Sequence, residues 1–226
     1  MPRTVNMNSV QAANYILSDL KGSVIDDVWP CLNLGRKEGG VFGVPRLVLA
    51  YVDYLGVLYH GSDGSSVDGA GRRIFTKSEY AKTFLVEIFG AAHKDYKKYG
   101  RLLYDMYRHG TVHLYEPLTF RNSGTGQTIE WSVSKQEIET TPPKRFLGIS
   151  QPWDLGVFHL IPTKKPAQTD PNVWVLPVSI NCLYFDLLAA LDIYAARLVK
   201  EPDLADRFQK TINALLIPEK TSLLWP

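Results

Sequence analysis

From Ser9 to Tyr107, and again from Asn181 to Leu215, apolar residues recur every three or four positions, whereas between residues 115 and 180 the repeat shortens to two. A period near 3.6 buries one stripe of a helix and a period of two buries one face of a strand. The switch and its reversal therefore restrict the chain to architectures in which helices flank an inserted sheet. The first helix is predicted from about Ser9, a good cap, through Ala12, Ala13, Ile16, Leu17 and Leu20, with Gly22 interrupting or ending it. A loop rich in glycine and charge is expected from Pro30 to Gly43. A second helix opens at Pro45 and aligns Leu47, Tyr51, Leu55 and Leu58. Glycine, serine and aspartate between Gly61 and Arg73 read as a linker. Thr76 caps a third helix, Glu79 completes a capping box, and Tyr80, Phe84 and Ile88 supply its buried stripe as far as Gly90. A fourth helix, from about Lys94 to Tyr107, uses Tyr96, Tyr99, Leu103 and Met106, carries Arg108 at its end and stops at Gly110.

In the middle stretch Ile129, Trp131 and Val133 alternate with Thr128, Glu130 and Ser132, and Ser123-Gly124-Thr125-Gly126 supplies the turn of a β-hairpin. The runs from Val157 to Ile161 and from Val173 to Ile180, bounded by prolines, predict short strands or extended loops. Helix returns at about Asn181 with Leu183, Leu187, Leu188, Leu191 and Tyr194; a last helix begins at Pro202 and closes at Pro218. The expected fold is α+β, in one domain over 1–226. A helical bundle formed by 8–114 and 181–217 carries a β-rich insert, 115–180, whose small antiparallel sheet precedes the C-terminal helices. With 226 residues, 45% hydrophobic and 21% charged, such a chain can bury a core without a metal or partner.

Composition narrows function only slightly. A formal net charge of +2 neither demands nor excludes a polyanionic partner. His93, Lys94, Lys97, Lys98, Arg101 and Arg108 cluster with only Asp95 and Asp105 among them, and read as a solvated helix face. Cys31 and Cys182 are too few for a disulfide scaffold and stand in no metal-binding pair, so both are expected to be reduced. The N-terminus lacks a basic start followed by an apolar run, and no stretch offers about 18 consecutive apolar residues, so a cytoplasmic location and no membrane partner are expected. Asp53, Asp186 and Asp192 sit in apolar helices and are expected to face outward. Trp131, Trp153 and Trp174 are expected to form the apolar face of the sheet.

Chemistry concentrates in Arg108-His109-Gly110-Thr111-Val112-His113. The chain has no Gly-x-Ser-x-Gly elbow, no His-Glu-x-x-His pair and no phosphate-binding Gly-x-x-x-x-Gly-Lys loop. His109 and His113, four residues apart, would share one face of an unbroken helix as a metal pair requires. Gly110 interrupts that helix and only Glu116 offers a third ligand, so neither a metal nor a cofactor is expected. Read without a metal, a guanidinium grips phosphate and a histidine exchanges a proton with a ribose 2′-hydroxyl or a leaving oxygen. A helix C-terminus favours the charged form of such a histidine. The plainer alternative has Arg108 pairing with Asp105 or capping helix carbonyls.

Arg108, four intervening residues and His113, with polar His109 directly after the arginine, resemble the Arg-x4-6-His motif of the HEPN superfamily. The resemblance implies a helical bundle and, in many members, a metal-independent ribonuclease of defence or toxin systems whose homodimer brings two motifs together. Arg108 and His113 would then be the catalytic pair, His109 the supporting polar residue and RNA the partner. Other members serve as binding modules, so a non-catalytic helical module for a protein partner or small ligand is the second class of function.

Overall fold

The computed structural model describes residues 4–33, 40–69, 73–110, 116–134, 159–164 and 172–217. The protein is α+β and mainly helical. Helix α1 runs through Ser9–Asn14, a wider π-helical turn at Tyr15–Leu20, and Lys21–Asn33. Asn8 and Gln11 form a reciprocal cap at its start. The helix does not end at Gly22, because Val24 and Val28 extend the buried stripe with no exposed surface. Burying them outweighs the cost of about 1 kcal/mol that a helical glycine carries.

Helix α2, Gly40–His60, begins before Pro45 and buries Val44, Val48, Leu49, Val52, Leu55 and Leu58 completely. Its Phe42–His60 portion is long and apolar enough by length and composition to cross a membrane, contrary to the reading of the sequence. That reading counted consecutive apolar residues, and this portion contains Arg46 and Asp53. In the fold α2 is a core helix, just over half buried.

Helix α3 comprises Ser78–Phe84, a π-helical turn at Leu85–Phe89, and Gly90–Ala92. It starts later than expected: Lys77 precedes it without a side-chain cap, and Glu79 turns instead to Arg101 at 2.8 Å and Lys82 at 3.4 Å. Two charged partners attract that carboxylate more strongly than a backbone amide does. Gly90 lies within the helix, where Lys97 Cγ would stand 2.7 Å from an added Cβ. Helix α4 is Tyr96–Leu103 followed by a π-helical turn at Tyr104–His109. Helices α5, Ile180–Lys200, and α6, Pro202–Leu215, match the sequence pattern; Ser179 caps α5 and Pro202 opens α6.

Strands β1, Ser66–Val67, and β2, Arg73–Ile74, form a small antiparallel pair. A second sheet contains β3, Phe120–Arg121, β4, Thr128–Ser134, β5, Thr163–Lys164, and β6, Val173–Ser179, in the order β3-β4-β6-β5. The hairpin β3/β4 is antiparallel as patterned, but β4 and β6 run parallel, from Thr128 opposite Val173 to Ser134 opposite Ser179. The expected all-antiparallel sheet is thus a mixed one. A parallel pair needs a connection of a dozen or more residues in place of a tight turn, and alternation along one strand carries no information about partner direction. His159, Leu160 and Ile161 are not in a strand; Val157 and Trp153 lie outside the described residues. Trp131 packs against the core and meets Phe42 edge-on at 5.5 Å, which joins the sheet to α2.

Helix α5 holds the centre. Leu183, Leu187, Ala190, Leu191 and Tyr194 are fully buried, and the same core takes in Val24, Leu55, Phe84, Leu103 and Phe208 from the surrounding helices.

Candidate functional site

The segment that carries the motif leaves α4 through a π-helical turn. In such a turn hydrogen bonds reach five residues instead of four, the helix widens, and single-turn examples recur at functional sites. Leu103 and Met106 anchor the turn in the core with no exposed surface. Tyr104 and Arg108 leave it toward α2, and both reach one carboxylate. The Tyr104 hydroxyl donates to Asp53 Oδ1 at 2.6 Å, and Arg108 Nε donates to Asp53 Oδ2 at 2.6 Å. Side-chain exposure is 26% for Arg108 and 15% for Asp53, so the pair is only partly screened by water. Burial, and then the neighbouring Asp53 charge, raise the Tyr104 hydroxyl well above its ordinary value, so it remains a donor.

Gly110 follows directly. It is buried, and an added Cβ there would lie 2.6 Å from the Leu118 amide nitrogen and 2.7 Å from Pro117 Cα. The returning chain crosses the helix end at this point, and Leu118 N–H donates to Met106 O at 2.8 Å. Space, not a left-handed backbone, requires glycine here. Among the site residues read from the sequence, Arg108 is thus placed and His109 completes the π-helical turn, while His113 lies outside the described residues.

Arg108 pairs with Asp53 and not with Asp105, which takes Lys82 at 2.8 Å. Asp53 faces inward, as does Asp186, whereas Asp192 is outward as expected and meets Lys21 at 2.6 Å. The basic stretch before the motif is not one solvated face: His93 is buried and Arg101 is paired with Glu79. The sequence held no signal that separates Asp53 from Asp192, since both are acids inside apolar helices and only one is drawn inward.

A second polar cluster is buried deeper. His159 Nδ1 accepts the Ser179 N–H at 3.0 Å, which leaves the ring proton of the neutral form on Nε2. That nitrogen stands 3.1 Å from the Tyr96 hydroxyl and 3.4 Å from Asp186 Oδ2, while Tyr96 donates to Asp186 at 2.9 Å. Burial and the adjacent Asp186 push Tyr96 well up. The same two causes push the Cys182 thiol up to about 12, which favours its protonated form at neutral pH. With His159 1% exposed, Tyr96 fully buried and Asp186 partly exposed, this cluster ties α4 to the junction of β6 and α5. Sequence reasoning passed over it because its members lie in three separated segments. Among the described residues, no three His, Cys, Asp or Glu side chains are grouped to hold a metal ion.

Comparison of the chain with protein-family models, with curated proteins and with solved structures found no match.

Proposed function

We propose that this chain is a HEPN-like RNA-binding protein that cuts RNA without a metal, with Arg108 as the phosphate-gripping group, His113 as the proton-transfer group and His109 as a polar support. The observation that carries the proposal is the way Arg108 is held. A guanidinium contributes to a transition state only if its orientation is established beforehand. Here Asp53 fixes Nε, Tyr104 fixes Asp53, and part of the arginine remains exposed. In the reaction, a histidine takes the proton of a ribose 2′-hydroxyl and the freed oxygen attacks the adjacent phosphorus. The phosphorus–O5′ bond then breaks, and the departing oxygen takes up a proton. The products are a 2′,3′-cyclic phosphate and a 5′-hydroxyl end, and Arg108 offsets the charge that builds on the phosphate oxygens.

The test is incubation of the protein with mixed single-stranded RNA in the presence of a chelator. Cutting with 2′,3′-cyclic ends is expected, falling at least a hundredfold, on the order of what a positioned proton-transfer group contributes, in Arg108→Ala and His113→Ala. Full activity in both variants rejects the assignment.

One observation favours a second reading, a non-catalytic binding module. Asp53 neutralises Arg108 at 2.6 Å in a partly buried setting, as an ion pair that staples α2 to α4 would. On this reading Arg108→Ala lowers stability, and the wild-type protein leaves RNA intact.

A further inference from the structure

The second inference concerns the far end of α2 and rests on the reading of the protein as one that engages RNA. At that end the His60 ring stacks on Tyr80, with centroids 3.7 Å apart and planes inclined by 18°. His60 is exposed and Tyr80 half-buried, so the pair is a flat aromatic step at the surface. Lys77 lies beside it, and half-buried Arg207 packs nearby, over the ring of Tyr59. Lys77 Nζ lies 5.8 Å from the Tyr80 ring centre, and the Arg207 guanidinium lies 5.5 Å from that of Tyr59, the residue before His60. Among the described residues neither cation has a carboxylate within ion-pair distance. Arg207 donates from Nε only to the Asp203 carbonyl, at 3.4 Å. Of the neighbouring charges, Arg197 is paired with Glu201, whose carboxylate also feels the Arg207 charge, and Lys210 is paired with Asp63.

The step is built rather than incidental. Gly61 ends α2 with φ +85°, its N–H returning to Val57 O at 3.1 Å, and an added Cβ would lie 2.8 Å from Arg207 Cβ and Cγ. The turn thus packs the arginine stem against Gly61, the residue after His60. Burial first, and then the Arg207 and Lys77 charges, hold the imidazole below its ordinary value. The ring is therefore mostly neutral at pH 7 and stacks without adding charge.

We propose that His60 and Tyr80, with Lys77 and Arg207, form a stacking platform for a base of single-stranded RNA, the two cations meeting its flanking phosphates. Unstacked bases bind aromatic faces, histidine included, beside cations that track the backbone. Duplex RNA keeps its bases stacked and has no use for the ring. Asp53 and His60 lie seven residues apart on one side of α2, about 10 Å along its axis, and α3 rests on Gly56 between them. The platform and Arg108 are separate enough to be altered one at a time.

The test uses the full chain and a fluorescent, single-stranded 2′-O-methyl oligouridine, which lacks the free 2′-hydroxyl needed for cutting, with binding followed by anisotropy over a range of salt. His60→Ala is expected to weaken binding about five- to a hundredfold, the range for loss of one stacked base. His60→Trp should bind as well as wild type, with its fluorescence quenched by the probe. Lys77→Ala with Arg207→Ala should reduce the salt slope by about 1.4, from two lost phosphate contacts on a single strand. Melting curves of the variants verify folding. If wild type binds the oligomer and these variants bind equally well with the same slope, the platform is overturned while the RNA reading stands. If wild type binds no single-stranded RNA, both fail. A loss that is as large for duplex RNA as for the single strand overturns the stacking assignment alone.

Discussion

Asp53 controls how Arg108 is held. Its two oxygens take Tyr104 and Arg108, each at 2.6 Å, so one residue of α2 sets the geometry of two from α4. Replacing it with asparagine keeps the shape and removes the charge that balances a partly buried guanidinium. Asp53→Asn is expected to cost about 1–3 kcal/mol in urea unfolding, between an exposed pair and a fully buried one. If Asp53 orients Arg108 for RNA, the same variant should also slow cutting in conditions where it remains folded. A loss of stability with unchanged cutting would reduce Asp53 to a staple. In the sequence Arg108 was recognisable as a candidate, but its partner was not. Asp105, three positions away on the same helix, was the expected partner and Asp53 was expected to face outward; the approach of α2 reverses the two.

Among elements, those with unbroken patterns were legible. Helices α5 and α6 and strand β4 fall where periodicity and caps put them, because their apolar stripes coincide with the surface they bury. Helix ends and interruptions were not, since a local signal at Gly22, Thr76 or Gly90 competes with packing that the sequence does not display. Gly56 shows the opposite dependence. An added Cβ would lie 2.7 Å from Ala81 N and from the Tyr80 carbonyl carbon, so α2 and α3 touch backbone to backbone there. Gly56→Ala gains helix propensity yet is expected to lose about 1–3 kcal/mol net, because two rigid backbones must separate. A thermal midpoint at or above wild type would contradict that contact.

Across the whole molecule, the cluster of His159, Tyr96 and Asp186 connects the helical bundle to the end of the sheet. Tyr96→Phe leaves Asp186 without its 2.9 Å donor and His159 Nε2 with only the longer 3.4 Å approach. The expected cost is about 1–3 kcal/mol, with faster amide exchange at Ser179, whose N–H is held by the same ring. Unchanged exchange at Ser179 would show that the cluster does not couple the two parts.

The sequence by itself determined the class of fold, the order of the helices and the hairpin. Each of these follows from spacing along the chain, which a one-dimensional record preserves. The tertiary structure alone decided that β4 and β6 run parallel, that Asp53 is the partner of Arg108, that His159 meets Tyr96 and Asp186, and that His60 stacks on Tyr80 beside Lys77. All four are contacts between segments distant in sequence, where the partner is selected by which surfaces the core brings together.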